Sequence, residues 1–276
     1  MNLINTLKNR KGIALIELLI ALVISALLIA GLYRTFVGQQ KTYIVQEQVV
    51  DMQQNVRIAI SRMMSEIRMA GFGGLEDVLN LPNGVNGFTQ PITGAQNTIT
   101  IVGGFLQVRR DNGEPILVAS ASGNQITLNY ATDRFDGNAH RFISIGGLES
   151  NQVVSRNVRN LILEKPLRLN HPAGTPIFKI QAITYSIGMS VGKMNLLRNE
   201  NTGGGNQPVA ENIENLRFEY FDGENNPTDI PENICLVKVT VTAKTDRSDS
   251  DFKGGDGFRR RTIASNIYVR NMDTIQ

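Results

Sequence analysis

The sequence predicts an α+β protein in which a long N-terminal α-helix packs on a β-rich, mostly antiparallel globular head. Three observations predict this class: an apolar run fills residues 13–33, a one-sided apolar stripe continues to about residue 70, and short apolar runs separated by Gly, Asn, Asp and Pro follow. Hydrophobic residues make up 41% of the chain and charged residues 19%. This composition excludes a disordered or collagen-like chain.

The apolar run is long enough to cross a membrane as a single helix. About 20 residues at a rise of 1.5 Å per residue span the ~30 Å hydrocarbon layer. The clearly polar side chains within residues 13–33 are Glu17 and Ser25. A secretory signal peptide would have a shorter apolar core and a small-residue cleavage site. The sequence therefore predicts a membrane anchor that leads directly into the head.

The net charge of +3 comes from the N-terminus. The chain has 28 Lys and Arg against 25 Asp and Glu, and the first twelve residues contain Lys8, Arg10 and Lys11 but no acid. Without these three residues, the basic and acidic side chains balance. Basic residues before an apolar span favour a cytoplasmic N-terminus and an outward-facing head, so the charge indicates membrane topology rather than a nucleic-acid partner.

The apolar run continues into a predicted amphipathic helix, which should end near the glycines at positions 71, 73 and 74. The apolar residues at helical spacing are Val49, Met52, Val56, Ile60, Met63, Met64 and Ile67. The polar residues assigned to the opposite face are Gln53, Gln54, Arg57, Arg62, Glu66 and Arg68.

Beyond residue 74 the pattern predicts strands. The candidates are residues 98–102, 116–119, 125–130, 141–145, 161–164, 176–180, 183–187 and 216–221. Period-two patterning over residues 235–243, followed by residues 258–270, predicts a long hairpin with Cys235 as a small buried thiol on its apolar face. A single cysteine excludes an intramolecular disulfide, and neither a metal site nor a cofactor is predicted.

Glu17 is an ionisable residue inside the predicted span. Such a residue costs about 3 kcal/mol at the centre of a membrane helix and by default marks a functional position. A carboxylate that reaches out to the interface is the structural alternative.

Residues 11–18, KGIALIEL, resemble the class III signal of type IV pilins and pseudopilins. The resemblance implies a basic leader that prepilin peptidase removes by cutting between Gly12 and Ile13, followed by N-methylation of Ile13. Members of the family usually carry Phe at this position, and Ile is a variant of minor members. The resemblance also implies that Glu17 neutralises the new α-amine of a neighbouring subunit and so sets the register of assembly, because either charge alone is costly in low dielectric.

Two further segments are similar to minor pilins of the PilW type. One is the predicted helix end at residues 65–72, SEIRMAGF, and the other is the tail, with residues 214–220, 234–243 and 270–271. The J-class minor pseudopilin of type II secretion is the nearest alternative. A tip subunit that binds a surface ligand or DNA is a further one.

The pattern and the resemblance together divide the chain into a leader at residues 1–12, a helix at 13–72 and a head at 73–276. Within the helix, residues 13–33 form the transmembrane part and residues 34–72 the amphipathic spine. The resemblance implies a subunit anchored in the inner membrane of a Gram-negative bacterium, with a periplasmic head, that later enters a surface pilus. Its implied partners are the prepilin peptidase and N-methyltransferase, other minor pilins, the major pilin, the assembly platform and, before assembly, membrane lipid. No enzymatic activity is expected.

Two patterns typical of enzymes are interpreted as structural. Residues 188–192 fit the G-x-S-x-G pattern of a hydrolase nucleophile elbow, but a strand-like run follows and no histidine occurs after His171. A hairpin turn is therefore expected there. His140 and His171 lie in polar surroundings and are expected at the surface.

Charged loops of the head are expected to be solvated. The acidic residues of two weak calcium candidates are Asp222, Glu224 and Asp229, and Asp246, Asp249, Asp251 and Asp256. Neither group has the spacing of an EF-hand. The basic run at residues 259–261 is expected to be neutralised by nearby acids, since alternation along a strand sends its members to opposite faces.

Overall fold

The structure is a computed structural model that describes residues 3–135, 141–190 and 192–272, with side chains from residue 15 onward. The chain divides into two compact units, Met1–Asp51 and Met52–Gln276.

The described part of the first unit is helical, because it belongs to helix α1, Leu3–Ile67. All side chains of residues 15–44 are exposed, including Leu18 at 69% and Leu32 at 70%. Among the described residues, one helix is long and apolar enough to cross a membrane, and its qualifying segment begins at Leu15. The predicted long apolar helix is confirmed.

The part of helix α1 that belongs to the second unit, from Met52 onward, buries one face. Of the predicted stripe, Met64 is half-buried in this unit, and Val49, in the first unit, is also half-buried. The buried residues of this face are Met52, Val56, Ala59, Ile60, Met63 and Ile67. Full burial of one large apolar side chain stabilises a fold by about 1.5–3 kcal/mol, so this face is a substantial part of the core of the unit.

Helix α1 ends at Ile67, slightly before the end predicted near residue 70, and turns follow it. Gly71, Gly73 and Gly74 adopt φ values of 80°, 123° and 61°, which favour glycine. A Cβ on Gly74 would lie 2.1 Å from the carbonyl oxygen of Leu148. The glycines therefore allow the chain to leave the helix in close contact with the head.

Within the described residues, thirteen strands form two antiparallel sheets, and a short helix, α2 (Glu76–Leu79), follows α1. The strands are β1 (Ile92–Ala95), β2 (Thr98–Gln107), β3 (Val118–Ser122), β4 (Gln125–Leu128), β5 (Phe142–Ile145), β6 (Glu149–Asn157), β7 (Asn160–Leu163), β8 (Ile177–Ser190), β9 (Lys193–Asn199), β10 (Gln207–Glu211), β11 (Ile213–Phe221), β12 (Leu236–Lys244) and β13 (Arg260–Tyr268). The larger sheet has the order β1-β2-β8-β5-β6-β7-β4-β3, and β9 and β10 extend from β8. The smaller sheet has the order β11-β12-β13.

Besides the buried face of α1, the described residues of the head contain two clusters of buried apolar side chains. One contains apolar residues of β3 to β8, among them Leu128, Ile143 and Ile177. The other joins Val78 of α2 to Val102 of β2 and other residues. Both lie on faces of the larger sheet, which explains why its strands carry continuous or alternating apolar residues.

The predicted antiparallel head is confirmed, with differences in individual strands. Residues 176–180 and 183–187 were predicted as separate strands, but they belong to β8, because the intervening Gln181 and Ala182 are buried and pair with β2. Strands β1, β6 and β10 were not predicted. The sequence of β6 is mostly polar, yet Glu149, Ser150 and Asn151 at its start are buried.

The predicted C-terminal hairpin is confirmed, since β12 pairs with β13 from Leu236 to Lys244 without a register shift. The residues of β12 that alternate on its fully buried face are Val237, Val239, Val241 and Ala243. The prediction for Cys235 is wrong: it precedes β12 and is only half-buried. The reason is local, because a 3₁₀ turn at Pro231–Asn233 leads the chain into the strand at that point.

Candidate functional site

The predicted processing site lies in α1. This helix includes the predicted processing residues Lys8, Arg10, Lys11, Gly12 and Ile13, whose side chains lie outside the described part of the structure. Glu17 is described, and its side chain is exposed on the helix. Residues four apart lie on the same face of an α-helix, so Glu17 lies one turn beyond Ile13 on the same side.

Glu17 is isolated from later basic residues of its own helix. Residues 18–33 contain no Lys or Arg, and Arg34 is about 25 Å further along at 1.5 Å per residue. The surrounding surface consists of exposed apolar side chains such as Leu18 and Ile20. In a membrane, a carboxylate without a positive partner is costly, so this position favours pairing with a cation.

The end of helix α1 and the C-terminal segment meet in the head. Residues 68–72 lie between the two sheets: the amide of Gly71 donates to the carbonyl of Val102 at 2.9 Å, and Asn271 Nδ2 donates to the carbonyl of Ala70 at 3.3 Å. The ring of Phe72 packs edge-on against Phe178, with 5.1 Å between ring centroids. The helix end and the C-terminal segment therefore form one junction.

Glu66 was predicted to lie on the solvent face of α1. It is instead buried, with 7% of its surface exposed. Its Oε2 accepts a 2.7 Å hydrogen bond from the hydroxyl of Tyr185 and a 3.1 Å bond from Nε of Arg198. Its Oε1 pairs with Arg62 at 2.8 Å. A buried carboxylate persists when it is paired and hydrogen-bonded, and the sheet supplies both kinds of partner here.

The polar cluster continues across β9. Arg198 Nη1 pairs with Glu200 Oε1 at 2.7 Å, and Gln181 Nε2 donates to Glu200 Oε2 at 2.9 Å. Burial raises the pKa of Tyr185, and the charge of Glu66 raises it further, so the hydroxyl stays protonated as a donor. Burial also raises the pKa of Glu200, but the hydrogen bond and charge of Arg198 outweigh it and the pKa is lowered.

Sequence reasoning missed Tyr185 and Arg198 as partners of the helix. An arginine within the apolar run of residues 194–198 was the available signal, because an arginine on a half-buried strand requires an acidic partner. The spacing of apolar residues along the helix could not show that Glu66 is the acidic partner of Arg198.

The prediction for His171 is wrong, because its side chain is buried and its Nε2 lies 2.9 Å from Oε2 of Glu149. Glu149 also accepts hydrogen bonds from the amides of Arg168 and Leu169. The histidine is therefore part of a buried pair that fixes the loop before β8. His140 lies outside the described residues.

Asp246 and Asp249, two of the acidic residues considered for calcium, pair with basic side chains. Asp246 pairs with Lys193 at 2.8 Å, and Asp249 pairs with Arg259 at 3.0 Å. Asp249 also accepts a hydrogen bond from the amide of Asp251. In the part of the chain that is described, no group of three or more His, Cys, Asp or Glu residues has the arrangement of a metal site.

The acidic turn near residue 222 has a structural explanation. Oδ1 of Asp222 accepts hydrogen bonds from the amides of Glu224 and Asn226. These backbone bonds, the largest influence, lower the pKa of Asp222.

Two arginines of the basic run at residues 259–261 form ion pairs with acidic side chains. Arg260 binds both Glu214 at 2.6 Å and Asp256 at 2.7 Å, while Arg259 is held by Asp249. The predicted neutralisation by nearby acids is confirmed for Arg259 and Arg260. The run is therefore not a continuous cationic surface.

The G-x-S-x-G pattern lies at a hairpin, as predicted. Strand β8 ends at Ser190, which pairs with Lys193 at the start of β9, and Gly192 has a φ of 74°. Val191 lies outside the described residues. A strand follows instead of the helix that a nucleophile elbow requires.

A family model described as the prokaryotic N-terminal methylation motif matches residues 7–33. The chain carries that motif. The match covers the basic segment, the Gly12–Ile13 bond, Glu17 and the apolar run.

No curated protein shows a significant match to the sequence. Among solved structures, the chain is similar to a type IV-like pilin from Thermus thermophilus, with 13% sequence identity and a TM-score of 0.22. That similarity covers 34% of this chain and 68% of the other.

Proposed function

We propose that the chain is a non-enzymatic minor pilin of the type IV pilus, made as a precursor and then built into the pilus or into the complex that primes it. The observation that carries the proposal is the N-terminal methylation motif at residues 7–33. Prepilin peptidase cuts between Gly12 and Ile13, and Ile13 is then N-methylated. The cut removes Lys8, Arg10 and Lys11, so the basic residues act in membrane topology and not in the assembled protein.

Glu17 sets the register of assembly. After cleavage, the α-amine of Ile13 lies at the end of an apolar helix, one turn from Glu17. Each charge is expensive in hydrocarbon, and pairing between neighbouring subunits removes both penalties. The exposed apolar surface around Glu17 supports this role, because it suits either lipid or another helix of the same kind.

Before assembly the helix anchors the subunit in the inner membrane, with its head in the periplasm. The apolar and exposed residues 15–33 support the anchor. Afterwards the same surface packs against the helices of the major pilin and other minor pilins at the assembly platform. The subunit then reaches the cell surface within the pilus.

The two segments whose sequences are similar to PilW-type minor pilins support a minor subunit of that type. The head contains a large and a small sheet, and its two PilW-like segments form one junction around Ala70, Gly71 and Asn271. In this fold the two segments hold each other in place, because Asn271 donates a hydrogen bond to the carbonyl of Ala70.

A deletion strain complemented with the full-length chain tests the proposal. Surface pili should be lost on deletion and restored on complementation, and immunoblots of sheared pili should contain the protein. Secretion of type II substrates by the same strains should not change. Normal pili with lost secretion would contradict the proposal and indicate the J-class pseudopilin instead.

A further inference from the structure

A polar cleft of about 320 Å³ lies between the loop after β2 and the loop after β4. It is lined by residues 109–112, Ile116 and residues 131–134. Small-molecule sites occupy about 300–1,000 Å³, so the cleft has room for a ligand of about the size of one sugar. It contains no residue of the methylation motif or of the Glu66 cluster.

The first loop is a tight hairpin that positions two guanidinium groups. The amide of Arg110 donates to the carbonyl of Glu114 at 2.8 Å and so closes the hairpin. Arg109 donates to the carbonyl of Gly113 at 2.8 Å and to Oε1 of Gln107 at 2.9 Å. Two neutral acceptors therefore orient the guanidinium of Arg109.

The second guanidinium of this hairpin is held by an aromatic ring and an acid. Arg110 lies over the ring of Tyr130, 3.9 Å from its centroid, and pairs with Glu114. Stacking on an aromatic face fixes the plane of a guanidinium while leaving the N–H groups at its edge available.

The second loop adds a third guanidinium from the opposite side. The amide of Arg134 donates to Oγ1 of Thr132 at 3.1 Å, which fixes the turn. Its side chain pairs with Asp111 at 2.8 Å, and the side chain of Asp111 is fully exposed. An exposed pair of this kind contributes little, about 0–1 kcal/mol, so a ligand anion can replace the carboxylate.

The cleft has more donors than acceptors. Each guanidinium has five N–H groups, and across the described residues the three side chains make the hydrogen bonds to Gly113, Gln107, Glu114 and Asp111. A ligand with acceptor oxygens suits these donors, because arginine matches phosphate and carboxylate groups by paired hydrogen bonds. Asp111, Asp133 and Glu114 interrupt the positive charge, which disfavours a long polyanion such as DNA.

We propose that the cleft between residues 109–112 and 131–134 binds a small, sugar-sized ligand through a phosphate or carboxylate group held by Arg109, Arg110 and Arg134. The aromatic ring of Tyr130, which is 43% exposed, borders the cleft through its contact with Arg110. This site is independent of leader processing and of incorporation into a fibre.

Calorimetric titration of the full-length chain in detergent micelles tests the proposal with glucose 6-phosphate and glucuronate as probes. At least one of the two should bind saturably with one site per chain, and neutral glucose should not. The identity of the probe that binds distinguishes phosphate from carboxylate recognition. R109Q and R134Q should each weaken binding at least tenfold.

The matched control is R217Q, which removes an arginine of the smaller sheet whose side chain is 52% exposed and should leave binding unchanged. Circular dichroism should show the same unfolding temperature for all three variants, because each changes an exposed side chain. Absence of saturable binding by both probes would overturn the proposal. Unchanged binding in R109Q and R134Q, or binding of a single-stranded DNA dodecamer in preference to both probes, would also overturn it.

Discussion

The hydroxyl of Tyr185 on strand β8 donates a 2.7 Å hydrogen bond to the carboxylate of Glu66 in helix α1, and both side chains are buried. Arg198 completes the contact from β9 at 3.1 Å. The last turns of the helix are therefore joined to the sheet by a charged cluster as well as by the apolar stripe. Removing Arg198 leaves the buried carboxylate of Glu66 with the half-exposed Arg62 as its remaining positive partner.

Replacement of Arg198 should strongly destabilise the head. R198M should lower the free energy of unfolding by about 3–5 kcal/mol, because Glu66 and Glu200 lose their buried positive partner. Y185F should cost less, about 1.5–3 kcal/mol, since it removes one hydrogen bond to a charged group. Urea unfolding of the full-length chain in micelles, followed by circular dichroism, measures both changes.

The control for R198M is R217M, because Arg217 forms an exposed pair with Glu219 at 3.5 Å and its side chain is 52% exposed. R217M should change the free energy of unfolding by less than about 1 kcal/mol. Equal effects of R198M and R217M would contradict a stabilising role for the buried cluster.

The loop held by Glu149 should be sensitive to acid. Burial alone would raise the pKa of Glu149, but the hydrogen bonds from Arg168, His171 and Leu169 outweigh it and the pKa lies below its usual range. A carboxyl with a lowered folded-state pKa stabilises the fold above its unfolded pKa, about 4.3. That stability should be lost as pH falls from there through the folded pKa, which pH-dependent unfolding measures.

E149Q should remove part of this acid dependence. The variant should be less stable than the original chain at neutral pH, and the two stability curves should converge as pH falls. E164Q, which changes an exposed glutamate of the same loop region, is the control and should keep the original slope. Parallel curves for E149Q and the original chain would contradict the assignment.

Gly74 should tolerate no side chain, because a Cβ there would meet the carbonyl oxygen of Leu148 at 2.1 Å. Gly87 has a similarly positive φ, 95° against 61°, but has nothing within 4 Å of such a Cβ. Both G74A and G87A carry the strain of a positive φ, and G74A adds a steric clash. G74A should therefore be less stable than G87A by about 1–3 kcal/mol in thermal or urea unfolding. Equal stability would show that the contact with Leu148 is not rigid.

The long helix and the antiparallel class could be predicted because their signals are local. The spacing of apolar residues from Met52 to Ile67 indicates which face of α1 is buried. The alternation of apolar residues in β12 indicates which face of that strand is buried. Glu66 and His171 were assigned to the surface because residue type was the available guide. Their burial depends on Tyr185, Arg198 and Glu149, which are distant in sequence.

Strand β6 could not be predicted for the same reason, because the burial of its polar residues depends on contacts with distant parts of the chain. Its buried Glu149, Ser150 and Asn151 look like a loop in the sequence, but hydrogen bonds to the chain around residues 165–169 account for Glu149 and Asn151. Among the site residues, the Gly12–Ile13 bond and Glu17 were identifiable because the methylation motif is contiguous. The cleft residues were not, because their loops lie together only after folding.

Glu17 should be needed for assembly and not for processing. E17A should be cleaved normally, because the peptidase acts at the Gly12–Ile13 bond, but its amount in sheared pili should fall strongly because the neighbouring α-amine has no acidic partner. S25A removes the other polar side chain of the apolar run and should be incorporated normally. Immunoblots of membrane and pilus fractions measure both steps, and equal incorporation of E17A and the original chain would contradict the role of Glu17.

Intact-mass and N-terminal analysis of the membrane-extracted protein tests the central claim most directly. The proposed function predicts a chain that lacks residues 1–12 and carries one added methyl group on the α-amine of Ile13. A chain that retains its N-terminal residues, or that is cut at another bond and left unmethylated, would contradict it.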